Sequence, residues 1–376
     1  MNSQFDNTKG ATAVAPMRAD IFRQPAVLRK LAARVPEVAA FVSETLPSQF
    51  DGRLIAFGSG DGWFAARSLS GMGVTPASGL QVLGDVGPKL GARDCVVAIS
   101  MSGNVDRTVE AAERAQQSAG RVIALTNSAG GRLAELGLPN MSLQLPDVAA
   151  FLCGTSSFVM TQAMLRLLAH LRVGRPEVEL SSELIALADA IDVILPRADD
   201  VTKEFAQACA GAPGVRILSC GAPGMAMADY GAAKLVELSG TPVWSDDIEE
   251  FAHRQFWTMK EGESVLYLPT SAKVAEIASS SADALRDMNV RSLSIAPEAW
   301  ASDADHAGHW PDSRMVDPFV VQAVYLQCFG YNWALAQGFD PNRRLHLKND
   351  TKRFKTSRLL TRRSLLKLAG DGEKAV

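Results

Sequence analysis

The sequence has 376 residues, enough for two domains of ordinary size. Its 47% hydrophobic and 21% charged residues give the balance of a globular protein with a substantial core and exclude a disordered or fibrous chain. A formal net charge of -3 excludes a polyanion binder overall, and no apolar run approaches the roughly 18 residues that span a membrane.

In chain order, residues 1–16 are rich in Asn, Ser, Thr, Gly and Ala and are expected to be disordered. Met1 to Gly10 holds no apolar signal core. Residues 17–47 read as a leading helix, with Ile21, Leu28, Leu31 and Val35 near helical spacing. A first α/β unit follows over residues 48–175. Its first strand runs from Arg53 to Phe57 and ends in Gly58-Ser59-Gly60-Asp61-Gly62, before a small-residue helix from Trp63 to Gly71. Gln81-Val82-Leu83 reads as the second strand, and Cys95 to Ile99 as the third, ending in Ser100-Met101-Ser102-Gly103. A helix from about Val105 to Ala119 and a strand from Val122 to Thr126 follow. Strands alternating with helices predict a parallel sheet covered on both faces.

Helix-rich stretches come next, Ala150 to Arg172 and Ser181 to Ala210, with residues 176–205 as the linker. The strand order then repeats over residues 206–335. Val215 to Ser219 ends in Cys220-Gly221-Ala222-Pro223-Gly224 before a helix from Ala226 to Leu238. Val243 sits in a short strand, Ser264 to Leu268 leads into a helix through Ile277, and Ser292 to Ile295 reads as the last strand. The halves are offset by roughly 160 to 170 residues, which predicts an α/β protein of two tandem doubly wound units, flavodoxin-like three-layer αβα. A helix from Pro318 to Gly338 and a basic tail over residues 336–376 close the chain. The five cysteines, Cys95, Cys153, Cys209, Cys220 and Cys328, are odd in number and lack metal spacing, so they read as reduced and mostly buried. These features predict a cytoplasmic protein with no nucleic-acid or membrane partner.

The chemistry-bearing residues cluster at strand ends, where doubly wound sheets bind ligands. Lys234 and Glu237 are three residues apart, on one helical face, and His253 follows in the next segment. A cation, a carboxylate and a group that titrates near neutrality are what proton transfer beside a carbonyl requires. The same spacing also fits a helical salt bridge with an unrelated loop histidine. The turn Ser100-Met101-Ser102-Gly103 offers two hydroxyls and backbone N–H groups at a helix start, an anion site, or alternatively a helix cap from Ser102. Ser59, Thr155 and Ser156 also fall at strand ends or helix starts. The glycine run at Gly58 lacks the dinucleotide spacing. Asp303, Asp305, His306 and His309 form a short loop-like cluster that reads as a loop rather than a metal site, and no cofactor is implied.

Five motifs in order resemble the sugar isomerase (SIS) family in its tandem form, over roughly residues 17 to 350. The chain is similar to the isomerase half of glucosamine-6-phosphate synthase and to fructosamine deglycases. Met17 to Pro25 resembles that group's first helix, M-x-x-E-I-x-E-Q-P, and Ser100-Met101-Ser102-Gly103 its S-x-S-G phosphate turn. Lys234 to Glu237 resembles its K-x-x-E helix, His253 falls at its histidine position, and Arg343-Arg344-Leu345-His346-Leu347-Lys348 resembles its terminal R-x-L-x-K. The resemblance implies Glu237 as the base between C1 and C2 of an open-chain sugar and Lys234 as the cation beside the enediol oxygen. It implies His253 as the ring opener, supplied across a homodimer interface, and Lys348 as the lysine that forms a Schiff base or helps open the ring. Ser59, Gly60, Ser100, Met101, Ser102, Thr108, Thr155 and Ser156 are the implied substrate contacts.

The departures from the family are specific. Gly60 stands where relatives have serine or threonine, Met101 where they have glutamine and Val105 where they have threonine. Each change removes a donor, and a hydrogen bond to a charged group contributes roughly 1.5–3 kcal/mol. This implies an altered anion pocket, with Thr108 and Ser59 the nearest compensating groups. No N-terminal cysteine nucleophile of a glutaminase stands at the start of the sequence, so ammonia is expected to come free or from a separate partner. The implied function is a sugar-phosphate or amino-sugar isomerase or deaminase-type enzyme. The alternatives are a fructosamine deglycase and a non-catalytic sugar-phosphate-binding regulator. The basic segment Arg358 to Lys367 reads as a frayed tail or a partner-binding helix.

Overall fold

Two parallel sheets of five strands organise the chain, and both are wound in the same order. The computed structural model describes residues 16–46, 52–128, 130–146, 153–300, 302–311, 313, 316–342 and 351–361. The first sheet comprises β1 (Leu54–Gly58), β2 (Val74–Ser78), β3 (Cys95–Ile99), β4 (Arg121–Thr126) and β5 (Asn140–Ser142), in the spatial order β2-β1-β3-β4-β5. The second comprises β6 (Val215–Ser219), β7 (Val243–Asp247), β8 (Ser264–Leu268), β9 (Arg291–Pro297) and β10 (His306–Trp310), in the order β7-β6-β8-β9-β10. This is the flavodoxin-like order, present twice, as the repeat in the sequence implies.

The helices in chain order are α1 (Pro16–Phe22), α2 (Gln24–Ala33), α3 (Val35–Thr45), α4 (Asp61–Ser68), α5 (Gly79–Gln81), α6 (Asp106–Gln116), α7 (Arg132–Glu135), α8 (Ser156–Leu171), α9 (Glu177–Ala208), α10 (Gly221–Ser239), α11 (Ile248–His253), α12 (Ala272–Leu285), α13 (Pro318–Ala336) and α14 (Thr351–Thr361). Side-chain alternation along the strands sorts them into layers. Leu54 and Ala56 of β1, Val215 and Ile217 of β6, and Leu266 and Leu268 of β8 face one core shared by both units. Their neighbours face outward into separate cores: Ile55 and Phe57 beneath α6, Leu218, Val265 and Tyr267 beneath α11 and α12. The central strands are therefore buried on both faces, so β1 and β3 read as continuous apolar runs, while the run of β6 is broken by Arg216, buried in an ion pair with Glu263. Between the sheets lie α4, α8, α9, α10 and α13, and α13 is buried nearly all round.

Several elements differ from the sequence reading, each for a local reason. The leading helix is three helices, because Pro25 and Pro36 fit only a first turn and force breaks at Arg23 and Arg34. The second strand is Val74–Ser78, not Gln81-Val82-Leu83. Ser78 and Gln81 make a reciprocal capping box that turns the chain into helix at Gly79, and Pro76 is tolerated because β2 is an edge strand. The segment from His306 to Trp310 is a fifth strand rather than a loop, paired in parallel with β9. Four of the cysteines are buried and Cys220 is partly exposed. Among the described residues no helix is long and apolar enough to cross a membrane. Of residues 1–16, expected to be disordered, Pro16 instead opens α1; the rest of that segment, Lys348 with its neighbours, and the tail beyond residue 361 lie outside the described residues.

Candidate active site

The helices that follow the first strand of each unit, α4 and α10, pack against one another across the seam between the sheets. Lys234 lies in α10 with no exposed surface, and its Nζ donates to Glu237 Oε2 at 3.0 Å on the same helix. The same Nζ donates to Asp61 Oδ1 at 2.8 Å, from the first turn of α4. The two carboxylates keep 29% and 32% of their side-chain surface exposed, so the ammonium sits behind them and they face solvent. Burial would pull the lysine pKa down, but the Asp61 and Glu237 charges outweigh it and hold it well above the usual value. Lys234 is therefore a fixed cation rather than an amine available for imine formation. The bland alternative, an exposed helical salt bridge, does not describe a lysine buried between two domains.

Three further groups support this cluster. The Cys153 thiol donates to Glu237 Oε2 at 2.8 Å, and burial pushes its pKa well up, which keeps the proton on sulfur. Tyr230 lies with its ring 5.0 Å from the lysine Nζ, stacks on Phe158, and donates its hydroxyl to the Gly154 carbonyl at 3.1 Å. Gly154 leaves room for Asp61, since a Cβ there would lie 2.3 Å from Asp61 Oδ2. Gln327 of α13 donates to the Tyr230 hydroxyl at 3.1 Å and accepts from Gln24 at 2.8 Å, which ties the leading helices to the site.

The anion turn lies at the end of β3. Ser100 and Thr108 are buried, and their hydroxyls have no hydrogen-bond partner among the described residues. Gly103 takes a φ of 66°, which lets the loop reverse and its carbonyl accept from Leu133 N at 2.8 Å. Ser102 is exposed and its hydroxyl accepts from Asn104 N at 3.3 Å. Ser102 does not cap the following helix, because α6 begins at Asp106 with Val105 as its uncapped N-cap residue. Ser59 and Gly60 are exposed at the end of β1, and Met101 is half-buried, its carbonyl accepting from Thr126 Oγ1 at 3.1 Å.

Other expected site residues are committed elsewhere. Thr155 and Ser156 are buried at the start of α8, where both hydroxyls and Ser156 N donate to Asp20 of α1. Asp20 thus caps α8 from the leading helices. His253 ends α11 with 69% of its side chain exposed, and its ring lies 3.7 Å from Glu249, one turn earlier. Within one chain it is not joined to Lys234 and Glu237. Lys348 lies outside the described residues. Among the described residues no group of three or more His, Cys, Asp or Glu gathers as a metal site; Asp305 bonds Ser292 and His309 bonds the Ala296 carbonyl. Sequence reasoning missed Asp61 and Cys153. The one available signal was position: Asp61 opens the first-unit helix that corresponds to the Lys234 helix.

Comparison with known proteins agrees with this architecture. Residues 64–171 match the SIS domain family. The isomerizing glutamine–fructose-6-phosphate aminotransferase of Pyrobaculum aerophilum is 23% identical over 256 residues, which cover 66% of this chain and 42% of that protein. The chain thus matches less than half the length of that relative. Among solved structures, the C-terminal domain of glucosamine-fructose-6-phosphate aminotransferase from Francisella tularensis superposes with a TM-score of 0.71 at 13% identity, covering 90% of this chain and 99% of that one. Tagatose-6-phosphate ketose/aldose isomerase from Escherichia coli gives 0.70 at 21% identity, covering 90% and 98%. Glucosamine-6-phosphate deaminase from Thermotoga maritima gives 0.67 at 16% identity, covering 88% and 98%. The SIS match lies in the first unit, and the same doubly wound strand order recurs in the second.

Proposed function

We propose that the protein is an SIS-type enzyme that moves a proton between adjacent carbons of an open-chain sugar, sugar phosphate or amino sugar. The observation that carries this reading is the buried Lys234 ammonium bonded to the part-exposed Glu237 carboxylate at the domain seam. Glu237 takes the proton from the carbon beside the carbonyl and returns it to the neighbouring carbon. Lys234 steadies the negative charge that develops on the enediol oxygen, and its burial strengthens that effect. His253 opens the ring, delivered from a second subunit of a homodimer. Lys348 supplies imine chemistry, since Lys234 is held protonated. Ser59, Ser100, Ser102 and Thr108 contact the substrate's anionic end, and ammonia, where used, comes free or from a separate partner. The names of the relatives support this class: an isomerase, a deaminase and an isomerizing aminotransferase, all of 6-phosphate sugars.

A second reading, a sugar-binding regulator without turnover, is favoured by the exposure of His253 and its separation from Glu237 within one chain. The two separate in one experiment. A thermal-shift panel of sugars, amino sugars and their 6-phosphates identifies a ligand, and that ligand is then incubated in deuterated water. Deuterium entering C1 or C2 supports the enzyme; tight binding with no exchange supports the regulator.

A further inference from the structure

We propose that Asp61 is a positioning residue that sets the basicity of Glu237 through the lysine they share, an inference that rests on Glu237 being the base. Asp61 Oδ1 and Glu237 Oε2 take hydrogen bonds of 2.8 and 3.0 Å from one nitrogen. Their bonded oxygens therefore lie within about 6 Å of each other, close enough for one charge to shift the other's titration. Glu237 shares the lysine with Asp61 and feels the repulsion of the Asp61 charge. Both effects hold its proton affinity higher than a simple Lys234–Glu237 pair would.

Other described groups near the pair have their own bonds. On α10, Tyr230 is buried and protonated, its pKa pushed well up by burial. On α4, Arg67 is paired with Asp229 of α10, whose other oxygen takes the Ser245 hydroxyl of β7. On β7, Asp246 is paired with Arg254. Ahead of α8, Cys153 is a neutral thiol that donates to Glu237. From α13, Gln327 is uncharged and bonds Tyr230. Among the described residues, Asp61 is the carboxylate that joins Glu237 on Lys234, and it comes from the opposite domain. The strength of the base thus depends on the seam between domains being closed.

The test reads Glu237 directly and needs no substrate. Protein is grown with glutamate labelled with carbon-13 at the side-chain carboxyl, and the Glu237 signal is assigned by its loss in Glu237→Gln. Its pH midpoint is measured in wild type, Asp61→Asn and Asp61→Glu. We expect Asp61→Asn to lower the midpoint by roughly one pH unit and Asp61→Glu to leave it near wild type. A midpoint that is unchanged or raised in Asp61→Asn overturns the proposal. If Asp61→Asn does not fold by circular dichroism, Asp61→Ser is read in the same way. Proton exchange separates the two levels. Loss of exchange in Glu237→Gln with an unmoved midpoint removes only the role of Asp61. Exchange that persists in Glu237→Gln removes Glu237 as the base, and this inference with it.

Discussion

Asp61 and Glu237, 176 positions apart in the sequence and in different domains, hold the same Lys234 ammonium at 2.8 and 3.0 Å. The candidate active centre is therefore assembled by the packing of α4 on α10 and is complete in neither unit alone. Duplication of one α/β unit brings two equivalent helices to a shared seam, and the chemistry-bearing side chains differ between the copies.

Removing the shared cation leaves two carboxylates facing each other. Lys234→Met is expected to destabilise the fold by about 3–5 kcal/mol, the usual cost of breaking a buried pair from one side. Urea unfolding measures this. The pH dependence has a definite sign. The folded pKa of Lys234 lies above its unfolded value, so its contribution is fully present below about pH 10 and is lost as pH rises through the folded pKa. The gap in stability between wild type and Lys234→Met should hold steady from pH 7 to about 10 and narrow above.

Gly154 makes room for Asp61. In Gly154→Ala the new methyl would sit 2.3 Å from Asp61 Oδ2, so the carboxylate must rotate or shift, which disturbs its bond to Lys234, or the backbone must move. Stability should fall by about 1–3 kcal/mol, and proton exchange should fall with it. Unfolding curves and exchange rates on the same preparation check both.

The hydroxyls of Ser100 and Thr108, without a partner among the described residues, separate stability from binding. Deleting a buried hydroxyl that bonds nothing removes a desolvation cost, so Ser100→Ala and Thr108→Val should stay within about 1 kcal/mol of wild type or gain slightly. If these hydroxyls serve the anionic end of the substrate, the preference for a sugar 6-phosphate over the free sugar should fall about tenfold. Parallel binding titrations of a sugar and its 6-phosphate measure this. Lost stability with unchanged preference would assign the hydroxyls to the core instead.

Much of the fold is legible in the sequence because the central strands are buried on both faces. β1, β3 and β8 stand out as apolar runs, and β6 does so apart from Arg216. The edge strands are not legible: β2 carries Thr75 and Pro76, β5 is three residues long, and β10 is only partly buried. The apolar run at Val82 misleads because a capping box at Ser78 decides the local structure. Within the site, the Lys234–Glu237 spacing marks a helical face, but nothing local couples it to Asp61, 173 residues from Lys234, or to Cys153, 84 residues from Glu237. Such pairings are set by how the two units pack. Thr155 and Ser156 show the converse: hydroxyls at a helix start look like ligand contacts until Asp20 arrives from another helix.

The central claim is that Glu237 carries the proton. The direct measurement is deuterium incorporation at C1 or C2 of a bound sugar in deuterated water, wild type against Glu237→Gln, with affinity for the same sugar measured alongside. The account predicts exchange in wild type, its loss by at least about a hundredfold in Glu237→Gln, and affinity within a few fold of wild type. Exchange that continues undiminished in Glu237→Gln while binding is intact would contradict it.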